Sequence, residues 1–121
     1  MGKTLSVAIV DDEKELVVIL TKGFTRQGVE VVFVAYNGRE AVELFNKMEK
    51  KPDVIIMDYS MPIVDGITAA RQILAIAPNV KIIFLSGARL EEKEALETGA
   101  FALLRKPVSL YTLVETVREI A

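Results

Sequence analysis

Apolar and polar positions come in alternating blocks along the chain. Nearly unbroken apolar runs stand at residues 5–10, 54–57, 80–85 and 102–104, the last opening a strand predicted over 102–105, and a Val- and Phe-rich run stands at 29–35. Runs this short and this apolar predict strands buried on both faces, as in a parallel sheet. Between them, apolar residues recur at helical spacing. Residues 13–27 place Leu16, Ile19, Leu20, Gly23 and Phe24 on one predicted core arc, with Val17 at its flank, Val18 roughly opposite, and Gly28 as the stop. Asn37 caps a helix carrying Ala41, Leu44, Phe45 and Met48, which Pro52 closes. A loop at 61–66 precedes a helix with Ile67, Ala70, Ile73 and Leu74, capped by Asp65. Residues 90–98 predict a short helix closed by Gly99, and Ser109 caps a last one carrying Leu110, Leu113, Val114 and Val117. Five β/α units in strict alternation imply an α/β fold, a parallel sheet covered by helices on both faces.

The apolar runs stop abruptly on polar residues. The first ends at Asp11-Asp12, the third at Asp58, the fourth at Ser86, and the fifth leads to Arg105-Lys106. If all are parallel strands, these ends share one edge of the sheet, where open parallel sheets bind ligands. Three clustered carboxylates invite a hard cation with oxygen ligands, for which magnesium is the usual choice. A lysine beside a metal-bound carboxylate makes a seat for a phosphoryl group.

Composition narrows the field. The chain has 121 residues, 51% of them hydrophobic, which fits one domain over residues 1–121 with a substantial core. It ends in the last helix, with no output domain following within these residues. Net charge is −2 with no long Lys/Arg cluster, so no direct nucleic-acid contact is expected. With no Cys there are no disulfides or thiolate metal sites, and with no His there is no histidine-based catalysis. No apolar run approaches the roughly 18 residues of a membrane span, and no signal peptide is present, so a cytoplasmic location is expected. Gly2 and Ser6 match a myristoylation pattern, but such short patterns match by chance, and Ser6 abuts the first strand.

Taken together, Asp11-Asp12-Glu13, Asp58-x-x-Met61-Pro62-x-x-Asp65-Gly66, Ser86-Gly87, Gly99-Ala100 and Lys106-Pro107 resemble the receiver domains of two-component response regulators, including the single-domain chemotaxis regulators. The resemblance covers essentially the whole chain. It implies a doubly wound, flavodoxin-like sheet of five strands in order 2-1-3-4-5, with five helices. Asp58 would be the phosphoacceptor, receiving its group from a sensor histidine kinase or histidine phosphotransfer domain. Mg²⁺ would be bound by Asp12, Asp58 and the backbone carbonyl of Ser60, with Asp11 reaching it through water. Lys106 would pair with the phosphoryl oxygens, and Ser86 would hydrogen-bond the group and shift its loop. Lys106-Pro107 would be cis. The first helix would dock the phosphodonor, the output partner would be a further protein or domain, and the chain would be a monomer or a weak phosphorylation-linked dimer.

Each residue also has a plainer role. Asp11-Asp12 could cap a helix, Asp58 could end a strand, Ser86-Gly87 could be an ordinary loop and Lys106 a solvated lysine. Three positions depart from the usual receiver pattern. Leu103 stands where an aromatic switch residue is usual, Phe101-Ala102 where acidic residues are usual, and Ala88 two residues after Ser86. Leu103 reads as core, and Phe101 as an apolar side chain either exposed or covered by the last helix. Two other readings compete: an aspartate-nucleophile phosphatase, in which Ser60 holds a position that commonly carries an acid, and a receiver-like scaffold that has lost phosphorylation.

Overall fold

The computed structural model describes residues 4–87 and 92–121. Gly2, Ala88 and the predicted start of the fourth helix lie outside them. The elements run β1 (Ser6–Val10), α1 (Lys14–Arg26), β2 (Glu30–Ala35), α2 (Gly38–Lys47), β3 (Val54–Asp58), α3 (Gly66–Ile76), β4 (Lys81–Ser86), α4 (Glu92–Glu97), β5 (Ala102–Arg105) and α5 (Leu110–Ile120). All neighbouring strands pair in parallel, in the order β2-β1-β3-β4-β5. The doubly wound α/β architecture is therefore the expected one.

Each face of the sheet carries its own core. Ala8, Val10, Ile55, Met57, Ile82 and Phe84 turn towards α2, α3 and α4. Val7, Ile9, Val54, Ile56, Ile83 and Leu85 turn towards α1 and α5. The two-residue period of a strand thus divides every central run between two apolar layers, which explains why β1 and β3 are buried throughout. Leu103 is partly buried against the layer on the α2–α4 side, as expected of a core residue. Phe101 is 51% exposed, with the Lys81 ammonium 5.8 Å from its ring centre.

Helix starts follow local chemistry. Asn37 accepts the Glu40 amide at 2.8 Å, and the Glu40 carboxylate accepts the Tyr36 amide at 3.1 Å. Asp65 accepts from the Thr68 amide, and Ser109 from the Thr112 amide. Each cap satisfies an otherwise orphaned backbone donor. Gly28, at φ 80°, follows α1 in the left-handed region that terminates helices.

The core arc of α1 differs from the predicted one. Val17 is only 2% exposed, whereas Ile19 is 59% exposed. The arc centres between Leu20 and Phe24. At about 100° per residue, Ile19 lies about 120° from that centre and Val17 about 40°. Five consecutive apolar residues, Leu16 to Leu20, allowed either choice. The sheet selects Val17, leaving Val18 and Ile19 exposed together.

The segment between β3 and α3 is braced on two sides. The Gly38 amide donates to the Val64 carbonyl at 3.0 Å, and the Gly66 amide to the Tyr59 carbonyl at 3.0 Å. Between these braces Ile63 adopts φ 71°, an uncommon conformation for a β-branched residue. Gly66 is required by proximity. A Cβ there would lie 2.4 Å from the Asp58 carbonyl oxygen and 2.9 Å from that of Tyr59, both backbone atoms with little freedom to move. Gly66→Ala should destabilise the protein by about 1–3 kcal/mol, the usual range for overpacking. Urea unfolding will show this as a lowered midpoint; an unchanged midpoint would mean that α3 slides without cost.

Candidate phosphoacceptor and metal site

The carboxyl ends of β1, β3 and β4 and the segment after β5 converge as the strand register requires. Asp58 pairs with Leu85, which places it beside Ser86, and Ser86 pairs with Arg105. The chain then turns through a cis Lys106-Pro107 peptide bond, as expected. The Lys106 amide donates to the Ser86 carbonyl at 2.9 Å, fixing the base of the lysine. On the other side, the Asp11 amide donates to the Ala35 carbonyl at 3.0 Å, continuing the pairing of β1 and β2 by one residue.

These anchors bring the predicted side chains together. The Lys106 ammonium lies 3.1 Å from Asp11 Oδ2 and 3.4 Å from Asp58 Oδ1. Asp11, Asp58 and Ser86 are buried, while Asp12 and Ser60 are exposed at the rim. Asp11 Oδ1 also accepts the Glu13 amide at 2.9 Å, which supports the start of α1. Asp11 therefore fills its plainer structural role as well as joining the cluster. Asp65 caps α3.

Glu13 was given no role of its own by its sequence. Its carboxylate lies 3.2 Å from the Lys106 ammonium, a third acidic partner for that group. Its place directly after the acidic pair was the available signal. What revealed it is the distant lysine, which reaches across from the β5–α5 turn. Beside them is a cavity of about 390 Å³ lined by Glu13, Leu16, Leu85, Lys106, Pro107 and Val108.

The electrostatics follow from this crowding. Burial, and then the negative charge of Asp11, push the Asp58 carboxyl up from 3.8 to about 7; Lys106 opposes the shift and Asp12 adds to it. Burial alone would lower the Lys106 ammonium. Its hydrogen bonds to Asp11 and Glu13, with the charges of Asp58 and Asp11, outweigh burial and hold it above the ordinary lysine value. One ammonium thus leaves Asp58 short of positive charge. Asp11, Asp12 and Asp58 offer carboxylate oxygens within 4.8 Å of one another, a grouping suited to a metal ion. A hard divalent cation preferring oxygen fits this all-carboxylate set.

The shift at Asp58 has a sign that can be tested. Asp58 holds its proton more tightly folded than unfolded. Its contribution to stability is therefore full below the unfolded value of 3.8 and is lost as pH rises through about 7. In chelator-treated protein, stability should fall across that window, and Asp58→Asn should flatten the decline. Urea midpoints measured against pH for both proteins provide the check; parallel curves would contradict it.

Comparison with known proteins agrees with this geometry. Residues 7–118 match the response regulator receiver domain. Chemotaxis protein CheY of Thermotoga maritima is 39% identical over 123 residues, a match covering 100% of this chain and 99% of that protein. A protein-glutamate methylesterase/protein-glutamine glutaminase of Hahella chejuensis is 44% identical over 111 residues, but the match spans 85% of this chain and only 27% of the relative. Among solved structures, the CheX-CheY-BeF3-Mg complex from Borrelia burgdorferi aligns with a TM-score of 0.89 at 30% identity, covering 96% of this chain and 88% of the other. The strand order, the acidic cluster at the strand ends and this agreement over nearly the full length lead to one conclusion: the chain belongs to the response regulator receiver domain family.

Proposed function

We propose that residues 1–121 form one receiver domain in which Asp58 accepts a phosphoryl group from a phosphohistidine on a sensor kinase or histidine phosphotransfer domain. The observation that carries this reading is the placement of Asp58, buried at the end of β3 with the Lys106 ammonium 3.4 Å away. An Asp58 oxygen forms the new O–P bond while the donor's N–P bond breaks, and the imidazole leaves with the bonding pair. Lys106, held by Asp11 and Glu13, is poised to meet the phosphoryl oxygens. The Ser86 hydroxyl, at the neighbouring strand end, hydrogen-bonds the group after transfer. Asp12, Asp58 and the Ser60 carbonyl would hold Mg²⁺. Asp11, whose two oxygens already accept from Glu13 and Lys106, would stand behind them. The metal would supply positive charge against the phosphoryl oxygens. Position 60 carries a hydroxyl rather than a carboxylic acid, which favours a signalling domain over a phosphatase.

Acetyl phosphate with Mg²⁺ should add one phosphoryl mass to the protein. Asp58→Asn should abolish the addition, and Asp12→Ala should shift its Mg²⁺ requirement upward. Intact mass spectrometry decides; stoichiometric labelling of Asp58→Asn would refute the assignment.

The phosphodonor would approach over α1 and the cavity at Lys106. Val18 and Ile19 are 48% and 59% exposed on α1 and suit packing against a helical partner. The domain would work in the cytoplasm as a monomer or weak phosphorylation-linked dimer and pass its signal to a separate protein or domain. Among the described residues, no helix is long and apolar enough to cross a membrane. Ile19→Asp should slow transfer from the cognate donor at least severalfold while leaving acetyl phosphate labelling intact. Equal loss in both assays would point to damaged folding instead.

A further inference from the structure

Tyr59 follows Asp58 directly, and its side chain reaches α4. Its hydroxyl donates to the Glu94 carboxylate. Its ring meets that of Phe84 edge-on, with centroids 5.7 Å apart and planes at 66°. Its backbone is fixed at both ends: the Tyr59 amide donates to the Leu85 carbonyl at 2.9 Å, and its carbonyl accepts the Gly66 amide at 3.0 Å. Ring and backbone are therefore seated, and the hydroxyl is the tip of a stiff arm. Aromatic side chains suit this use because only two torsions need to be held.

The other end of the contact is lightly anchored. Among its described residues, α4 buries only Ala95, while Lys93, Glu94, Leu96 and Glu97 are exposed. A helix of six residues has little stability of its own. The Tyr59–Glu94 contact adds a charge-assisted polar link to the apolar seat of Ala95 and the packing of α4 on β5. Leu103, paired with Phe84 on the neighbouring strand, has no hydrogen-bonding group with which to do this.

We propose that Tyr59 is a positioning residue that ties the acceptor segment to α4. Rearrangement around Asp58 on phosphorylation would pass through the Tyr59 arm to Glu94 and so to the helix. The phosphoryl group supplies the driving interaction, since it adds negative charge and strong acceptor oxygens beside the segment that carries Tyr59. The contact differs between the two states, and that difference biases the position of α4. The proposal rests on Asp58 being the acceptor.

Three variants separate the possibilities. Tyr59→Phe keeps the ring on Phe84 and removes only the hydroxyl. Glu94→Ala removes the acceptor, and Glu94→Gln keeps an acceptor oxygen. Each is labelled with acetyl phosphate and Mg²⁺, and the amide shifts of residues 92–97 are recorded with and without beryllofluoride and Mg²⁺. Hydrogen exchange at the same amides is measured on unmodified protein. Tyr59→Phe and Glu94→Ala should label as the wild type does, lose most of the α4 shift response and exchange severalfold faster at α4. Glu94→Gln should retain most of the response. A full α4 response in Tyr59→Phe would overturn the proposal. So would poor labelling of Tyr59→Phe and Glu94→Ala, which would place the pair in shaping the acceptor instead. A wild-type protein that does not label at Asp58 would refute the acceptor reading, and this inference with it.

Discussion

Everything at the edge of this sheet is arranged around the contact between one ammonium and the carboxylates that surround it. Asp11 and Asp58 are buried side by side, an arrangement that burial and mutual repulsion both oppose. Lys106 makes it tolerable, and Lys106 is in place because its amide is bound to the end of β4 and its ammonium to the end of β1. The parallel sheet is the necessary frame. Parallel strands that finish at one level present charges from three separate parts of the chain, and the Ser86 hydroxyl from a fourth, to a single point. The two apolar layers hold that level, since a slip of one residue in any central strand would exchange its faces.

The compensation is incomplete, which gives the site its chemical character. A fully neutralised cluster would be an inert structural element. Here Asp58 remains pushed up to about 7, poorly satisfied as an anion. Added positive charge, as from a divalent cation, is welcome at such a site. Stability is given up locally so that the resting state stays responsive.

Local chemistry made much of this legible in the sequence. Short apolar runs ending on Asp or Ser marked both the strands and the site, because strands buried on two faces leave no polar residue until they emerge. Asn37, Asp65 and Ser109 were recognisable as caps because capping depends on residues three apart in the chain. The orientation of α1 was not recoverable in this way. Leu16 to Leu20 are all apolar, and the helical period alone could not prefer Val17 to Ile19. The parts played by Glu13 and Tyr59 were hidden for a different reason. Each depends on a partner 93 or 35 positions away, and only the closed fold brings those partners within reach.

The shallow grip of α4 has a consequence over evolutionary time. Ala95 alone, among its described residues, is held by the core. Lys93, Leu96 and Glu97 face solvent, so their identities can drift without threatening the architecture beneath them. By contrast, Ala41, Ala69 and Ala70 of α2 and α3 are fully buried in the same apolar layer, where a larger side chain would have to displace packed neighbours. Lineages descended from such a chain can therefore rewrite the exposed positions of one short helix while the two apolar layers that hold the sheet are inherited unchanged.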